Sequence, residues 1–188
     1  MTIPEDQTYA VQLLDAGDYE SAVPILHSMA DQNSPYALLS LGWIYDSGKI
    51  GNRDAELAAL CYRRAAALGA GAGFFELGRL LYDEGKFVES RKVFIEGGEG
   101  GNIQCLAWYG YMMSKGEGGE KNIEEAVVIL RGAAIKGQMF AKRILYTIEL
   151  DASNSVFSRV AIYCKILWLS VIAIKETLKD PYSDRGYR

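Results

Sequence analysis

Few residues in this 188-residue chain have the types and spacing that catalysis requires. His27 is its single histidine, so neither a catalytic triad nor a histidine-based metal site can be assembled without substitute groups. Paired acids such as Glu124 and Glu125 are adjacent, and adjacent residues on a helix do not face one another. We therefore expect no catalytic residues, no metal ligands, no cofactor and no enzymatic activity.

Three cysteines and three glycine clusters could also carry chemistry. Cys61, Cys105 and Cys164 are far apart and form no Cys-x-x-Cys pair, so we interpret them as small core residues in a reducing compartment. The clusters GAGAG, GGEGG and GEGG lack the sequence context of phosphate-binding loops, and two of them contain a glutamate that would repel phosphate. We interpret the clusters as turns between helices.

Charge is spread unevenly along the chain. Residues 1–60 hold nine acids and two bases, a net charge of −7, whereas residues 61–150 hold eleven acids and twelve bases. Because no basic stripe is present, nucleic acid is not an expected partner. The acidic end is either a solvated surface or a contact for a basic protein. The first ten residues, MTIPEDQTYA, show no signal or transit peptide, which predicts a cytoplasmic protein.

An internal repeat organises the chain. The pattern of glycine and alanine positions in residues 36–69 recurs in residues 104–137, at an offset of 68. A degenerate third copy lies between them and lacks the loop insertion. Glycines recur in the same columns of the two full copies: Gly42 with Gly110, Gly48 with Gly116, Gly51 with Gly119, and Gly69 with Gly137.

Each repeat predicts two antiparallel helices. Ala37, Leu41 and Tyr45 form a stripe at i, i+4 and i+8 in the first helix, and Asp54 and Asn122 precede the second helices as N-caps. Glycines after leucine or tyrosine are expected where helices cross closely, at Gly42, Gly78 and Gly110. Glycines that end the second helices are expected in the left-handed conformation, at Gly69, Gly101 and Gly137.

The repeat resembles the SEL-one-like repeats (SLR), relatives of tetratricopeptide repeats. The first copy matches Ala-x-x-x-Leu-Gly-x-x-Tyr-x-x-Gly from Ala37 to Gly48, and the second departs from it at Cys105, Tyr109 and Met113. The resemblance implies an all-α, right-handed α-α superhelix, a solenoid of antiparallel helix pairs, here with a long C-terminal helix. It implies a non-enzymatic protein-binding module. Some bacterial members resemble immunity proteins that neutralise a toxic effector, and the alternative is a regulatory adaptor or assembly scaffold; an enzyme is the alternative of another class.

The two ends of the chain differ from the central repeats. Residues 8–34 resemble a tetratricopeptide-type unit, in which Pro24 predicts a kink or a helix that starts as late as Ser21. The organisation that we expect is an N-terminal helix pair at 1–34, SEL-one-like repeats at 35–153, a C-terminal apolar capping or interface helix at 154–179, and a disordered tail at 180–188.

The binding surface is expected on the first helix of each pair, which lines the concave groove in related solenoids. Aromatic and arginine side chains, which dominate interface energetics, are frequent on the face that the core positions leave free. Some of these aromatic residues could instead pack between repeats as core. The expected groove residues are Tyr36, Leu39, Trp43, Asp46, Phe75, Arg79, Tyr82, Gln104, Tyr111, Phe140 and Arg143.

The apolar helix at 154–179 has three interpretations. Its apolar stretch, 160–174, is shorter than the ~20 residues that span a bilayer. We expect it to cap the array, although a cap should have a polar outer face and this helix is apolar on nearly all sides. A homodimer or partner interface and an interfacial membrane contact remain alternatives. The contact residues would be Ile166, Leu167, Trp168, Leu169, Val171 and Ile172.

Overall fold

The structure, a computed structural model, describes residues 5–179, and the tail predicted at 180–188 lies outside this range. Within the described residues, every regular element is an α-helix, as the sequence predicted. The helices are α1 (Glu5–Ala16), α2 (Tyr19–Asp31), α3 (Pro35–Ser47), α4 (Ala55–Ala67), α5 (Gly71–Asp83), α6 (Phe87–Glu99), α7 (Ile103–Lys115), α8 (Ile123–Ile135), α9 (Met139–Ala152) and α10 (Val156–Lys179).

The helices fall into two compact units, which we call unit 1 (5–85) and unit 2 (86–179). Within each unit, short loops reverse the chain, so each helix packs against the next one. First helices of neighbouring repeats also touch, because α3 contacts α5 in unit 1 and α7 contacts α9 in unit 2. The pairs α3–α4 and α7–α8 are those that the two full copies of the repeat predicted.

Local signals place the helix ends where the sequence indicated. Asp54 Oδ1 accepts hydrogen bonds from the backbone N–H groups of Glu56 and Leu57, and Asn122 Oδ1 accepts one from Glu125. The glycines after the second helices are left-handed, with φ of +81° at Gly69, +89° at Gly101 and +93° at Gly137. Both predictions are confirmed.

Two glycines bring paired helices into close contact. A Cβ on Gly42 would overlap the ring of Tyr62, and a Cβ on Gly110 would lie 2.9 Å from Cγ of Leu130. Tyr62 and Leu130 are both fully buried. The close crossing predicted for these two positions is therefore confirmed, and it joins α3 to α4 and α7 to α8.

The loop between α7 and α8 packs against the start of α6. Gly118 has φ of +72°, and a Cβ there would overlap the carbonyl group of Phe87. A Cβ on Gly119 would lie 2.6 Å from the guanidinium group of Arg91, which donates a hydrogen bond to the Glu120 carbonyl. This glycine-rich loop is thus a packed contact within unit 2.

Helix α2 starts earlier than Pro24 suggested. It begins at Tyr19, where Asp18 accepts a hydrogen bond from the backbone N–H of Ser21, and it continues through Pro24. The predicted start at Ser21 is wrong. The fully buried residues Ala22 and Leu26 lie on either side of the proline, so tertiary packing holds the helix together despite the missing backbone donor.

The cysteines do not share one environment. Cys61 and Cys105 are buried as predicted, and burial raises the pKa of both thiols, that of Cys105 to about 12. Cys164 is exposed on α10, so its assignment to the core is wrong. It lies on a face of α10 that no part of the described chain covers.

Candidate functional site

In unit 1, two arginines converge on one carboxylate. Asp46 lies near the end of α3. Its Oδ1 accepts a hydrogen bond from Arg53 Nε and its Oδ2 accepts one from Arg79 Nη2, both at 2.9 Å. The side chain of Asp46 is only 11% exposed, whereas the arginines are 45% and 34% exposed. The structure therefore brings together Asp46 and Arg79, two of the predicted groove residues, across α3 and α5.

Three further carboxylates complete the group, which we call the acidic cluster. Arg53 Nη1 lies 2.8 Å from Glu84, and Arg79 lies 3.2 Å from Glu76 and 3.1 Å from Asp83. With Asp46, four carboxylates surround two guanidinium groups, so the cluster carries a net charge of −2. A basic surface on a partner would complement it.

Both arginines are held in the charged form. Hydrogen bonds from Arg53 to Glu84 and Asp46 raise the pKa of Arg53. Burial alone would lower the pKa of Arg79, but the attraction of Glu76, its hydrogen bond and the nearby acids raise it overall. The cluster is thus a fixed arrangement of charges at neutral pH.

Trp43 lies one turn before Asp46 on α3. It is partly buried, and its ring packs against Tyr19 with the centroids 5.7 Å apart. Lys49 Nζ lies over both rings, 5.6 Å from the Tyr19 centroid and 5.5 Å from that of Trp43. An aromatic surface therefore adjoins the acidic cluster, supported from behind by Tyr19.

The other predicted groove residues of unit 1 are either partly exposed or buried in the core. Tyr36, Phe75 and Tyr82 are partly buried and keep some surface. Leu39 is 5% exposed and belongs to the core, so its assignment to a binding surface is wrong. Ala107, in the same repeat column, is fully buried as well. This column is core in both full copies, and in the second copy Ala107 belongs to a core cluster with Ala141 and Ile144 of α9.

In unit 2, four rings form an aromatic cluster. Trp108 stacks on Phe94 at 5.4 Å and on Phe140 at 5.2 Å, and Tyr111 meets Trp108 and Phe140 edge-on, each at 5.8 Å. Tyr111 and Phe140 are partly buried and pack against the core between α7, α8 and α9. The structure thus brings together Tyr111 and Phe140, two of the predicted groove residues. Both also pack between helices, which was the alternative that the sequence left open.

Two further predicted residues of unit 2 are exposed. Arg143 is exposed, and its Cζ lies 5.4 Å from the centroid of the Phe140 ring. Gln104 is exposed in the first turn of α7. Unit 2 therefore presents a mixed surface of aromatic edges, one guanidinium group and an amide.

Sequence reasoning missed several residues of these sites. Trp108 occupies the repeat column of Ser40, a buried serine, so the repeat gave no indication of an aromatic contact there. Tyr19 and Lys49 lie outside the first helices that were considered. The remaining members of the acidic cluster had no sequence signal that would group them, since three of them lie in the stretch 61–150, where acids and bases balance: Arg53, Glu76, Asp83 and Glu84.

Helix α10 has one buried side and one exposed side. Ile162 and Leu169 are buried, at 4% and 6% exposure, so the prediction that Leu169 is a contact residue for a partner is wrong. Ile166 and Ile172 are partly buried. Three predicted contact residues are exposed: Leu167 at 65%, Trp168 at 64% and Val171 at 49%.

Residues 5–179 contain little else that could do chemistry. No group of three His, Cys, Asp or Glu side chains in this range could hold a metal ion. His27 Nε2 lies 2.9 Å from the hydroxyl of Tyr45, whose pKa is raised by burial and by Cys61 and Asp54. The phenol therefore stays protonated near neutral pH. Among the described helices, none has the length and hydrophobicity needed to span a membrane.

Comparisons with known proteins give structural matches alone. No family model matches the chain, and no curated protein matches it. A Sel1 repeat protein from Oxalobacter formigenes has a TM-score of 0.64 at 30% identity, and the match covers 74% of this chain and 59% of that one. A protective antigen present in uropathogenic Escherichia coli strains, which displays an SLR fold, has a TM-score of 0.67 at 22% identity over 78% of this chain and 33% of that one.

The present chain therefore spans about three fifths and one third of these two solved chains. Both matches agree with the all-helical architecture of the described residues. The resemblance inferred from the sequence is confirmed, and the chain has the fold of the Sel1-like repeat (SLR) proteins.

Proposed function

We propose that this chain is a non-enzymatic protein-binding module, and more specifically an immunity or inhibitor protein. It binds and neutralises a toxic effector in the bacterial cytoplasm. Similarity to SLR-fold proteins supports a role in protein binding in general. The observation that carries the proposal is the acidic cluster of unit 1 beside the partly exposed ring of Trp43.

This surface combines two properties of protein interfaces. The ring of Trp43 offers a large apolar area that is already fixed by Tyr19, so little side-chain entropy is lost on binding. The net charge of −2 on the acidic cluster exceeds the single positive charge of Lys49 beside it, so the surface attracts a basic partner and speeds its association at low salt. The expected partner is a protein with a basic surface around an apolar contact.

Unit 2 offers a different contact. Tyr111, Phe140, Arg143 and Gln104 form a surface with a single formal charge, so apolar area and hydrogen bonds would dominate binding there. We also propose that helix α10 binds a second copy of this chain, because its exposed side is apolar. Partner binding and self-association would then use separate residues.

The experiment pairs the chain with proteins encoded next to it in its genome, because an immunity protein must be made alongside its target. Each neighbour is expressed in bacteria with and without the chain, and growth and complex formation are measured. The test variant carries Trp43→Ala and Tyr111→Ala, and Tyr9→Ala is the control because Tyr9 is 55% exposed on α1. We expect wild type and Y9A to restore growth, and the double variant to bind at least about 30-fold more weakly.

Two results would contradict parts of this proposal. If a neighbour is bound but growth is not restored, the chain is an adaptor or scaffold and the immunity role is wrong. If the double variant loses melting temperature but binds as tightly as wild type, Trp43 and Tyr111 act only in the core, and their surface role is wrong.

A further inference from the structure

Helix α10 carries a second apolar face, opposite the one that packs on α9. At 100° per residue, Ile162 and Leu169 point to one side of the helix. The other side carries residues at spacings of 3, 4, 3, 4 and 3, which we call the α10 seam: Phe157, Val160, Cys164, Leu167, Val171 and Ile174. All six side chains are exposed: Phe157 at 90%, Val160 at 57%, Leu167 at 65%, Val171 at 49%, Ile174 at 59%, and Cys164 as well.

This spacing fits a second helix as the occupant. Apolar residues that alternate at three and four positions keep one side of a helix against another helix, as in coiled coils. A lipid surface also accepts an apolar stripe at this spacing, so the charges on α10 distinguish the two occupants. The α10 seam fits a helix, and α10 of a second copy presents the same spacing and satisfies the self-complementarity of a twofold interface.

The exposed area is large enough for a stable dimer. Val156, Tyr163 and Trp168 flank the α10 seam and are 73%, 51% and 64% exposed. With them, each chain offers on the order of 800 Å² of apolar surface, so a twofold contact would bury about 1,600 Å², the usual size of a specific interface. An apolar patch this large is unusual on a protein that remains monomeric.

The charges on α10 do not favour a membrane surface. Lys165 Nζ lies 5.3 Å from the centroid of the Tyr146 ring on α9, so this ammonium group faces the packed side of the helix. Among the described side chains of α10, the remaining bases are Arg159 and Lys175, and Lys175 alone borders the α10 seam. Interfacial helices on anionic lipid carry a fuller basic rim than this.

We infer that two copies of this chain pair through their α10 seams, which interdigitate as a short two-helix coiled coil. The inference rests on the proposed binding of a second copy by α10, and it names the residues in contact. It does not depend on the effector, because Trp43 and Tyr111 lie on other helices.

Light scattering on the full chain tests the pairing. We expect a mass of twice 20.7 kDa for the wild type, and 20.7 kDa for the double variant Leu167→Glu and Val171→Glu at the same concentration. Ile135→Glu is the matched control, because Ile135 is 87% exposed on α8, and it should leave the dimer intact. A single-chain mass for the wild type, or a dimer that survives the double variant, overturns the inference.

A cross-link supplies a second test that needs no charged variant. Cys164 lies near the middle of the α10 seam, so either helix orientation places the two Cys164 residues within about 10 Å of each other. A short bismaleimide should therefore link two wild-type chains, and Cys164→Ser should abolish the product; Cys61 and Cys105 are buried. Absence of the product overturns the pairing. A wild-type monomer that pellets with phosphatidylglycerol vesicles would instead assign α10 to the membrane.

Discussion

The ring of Tyr62 occupies the space that a side chain at residue 42 would need. Gly42 lies in the middle of α3 and Tyr62 in the middle of α4, and a single added carbon on the glycine would overlap the ring. Tyr62 is fully buried, so its ring has no room to move aside. The contact joins the middle of the two helices, and it explains why glycine stands in this column of the repeat.

Replacing Gly42 by alanine should lower the free energy of unfolding by about 1–3 kcal/mol, because the new methyl group overpacks the α3–α4 contact. Urea denaturation followed by circular dichroism measures the change. Gly132→Ala is the control, since Gly132 lies inside α8 with open space around it, and there alanine should stabilise the helix by about 1 kcal/mol. Equal effects at the two positions would show that the Tyr62 ring does not restrict residue 42.

The two partly buried tryptophans should differ in their contribution to stability. Trp108 stacks between Phe94 and Phe140, so Trp108→Ala leaves a cavity and should cost about 3 kcal/mol. The Trp43 ring lies against Tyr19 with Lys49 over it, at the surface of unit 1, and Trp43→Ala should cost about 1 kcal/mol. Urea denaturation of both variants makes the comparison. A larger loss for Trp43→Ala would place Trp43 in the core of unit 1 rather than at its surface.

The stability of the chain should fall above pH 9, partly because of Cys105. Burial raises the pKa of this thiol from its ordinary value of 9.0 to about 12, so the unfolded chain releases the proton first as the pH rises. The folded state therefore loses stability between those two values, by about 1 kcal/mol at pH 10. Denaturation at pH 8 and pH 10 measures the loss.

The control for that pH dependence is Cys105→Ala, which places in the second full repeat the residue found at Ala37 in the first. This variant should lose less stability than the wild type between pH 8 and pH 10. Identical pH profiles for the two proteins would mean that Cys105 does not contribute.

Neutralising the central carboxylate of the acidic cluster should have a modest effect on folding. Asp46→Asn removes the charge that pairs with Arg53 and Arg79, and because both arginines are partly exposed we expect a loss of about 1 kcal/mol. The loss should shrink at high salt, where ion pairs are screened. Denaturation in low and high sodium chloride measures both effects, with the exposed Glu96→Gln on α6 as the control. A loss that is independent of salt would point to hydrogen bonding rather than charge.

The repeat architecture could be predicted because its signals are local. A glycine with positive φ after a helix, or an asparagine or aspartate before one, acts within a few residues, and so Gly69, Asp54 and Asn122 appear where the sequence placed them. Close crossing at Gly42 and Gly110 could be anticipated because the glycine recurs in the same column.

The surfaces could be predicted only in part, because lateral packing between repeats cannot be deduced from the sequence of either helix alone. Leu39 has the periodicity of a free face, but packing against neighbouring helices buries it. Leu169 is buried in the same way, on the side of α10 that packs against α9. The ion pairs of Asp46 join residues 7 and 33 positions away, a distance at which the sequence showed only an excess of acids.

The loop between α7 and α8 has a practical consequence for protein engineering. Surface loops usually accept inserted tags or fluorescent reporters because their tips project into solvent. Here Gly118 lies against Phe87, so an insertion would displace the first turn of α6. Gly51, in the repeat column of Gly119, has open space around it. The fold should therefore tolerate a reporter better in the loop between α3 and α4, although the two loops look equivalent in the repeat. Because Gly51 lies between Lys49 and Arg53, a reporter there would also obstruct partner binding at the acidic cluster.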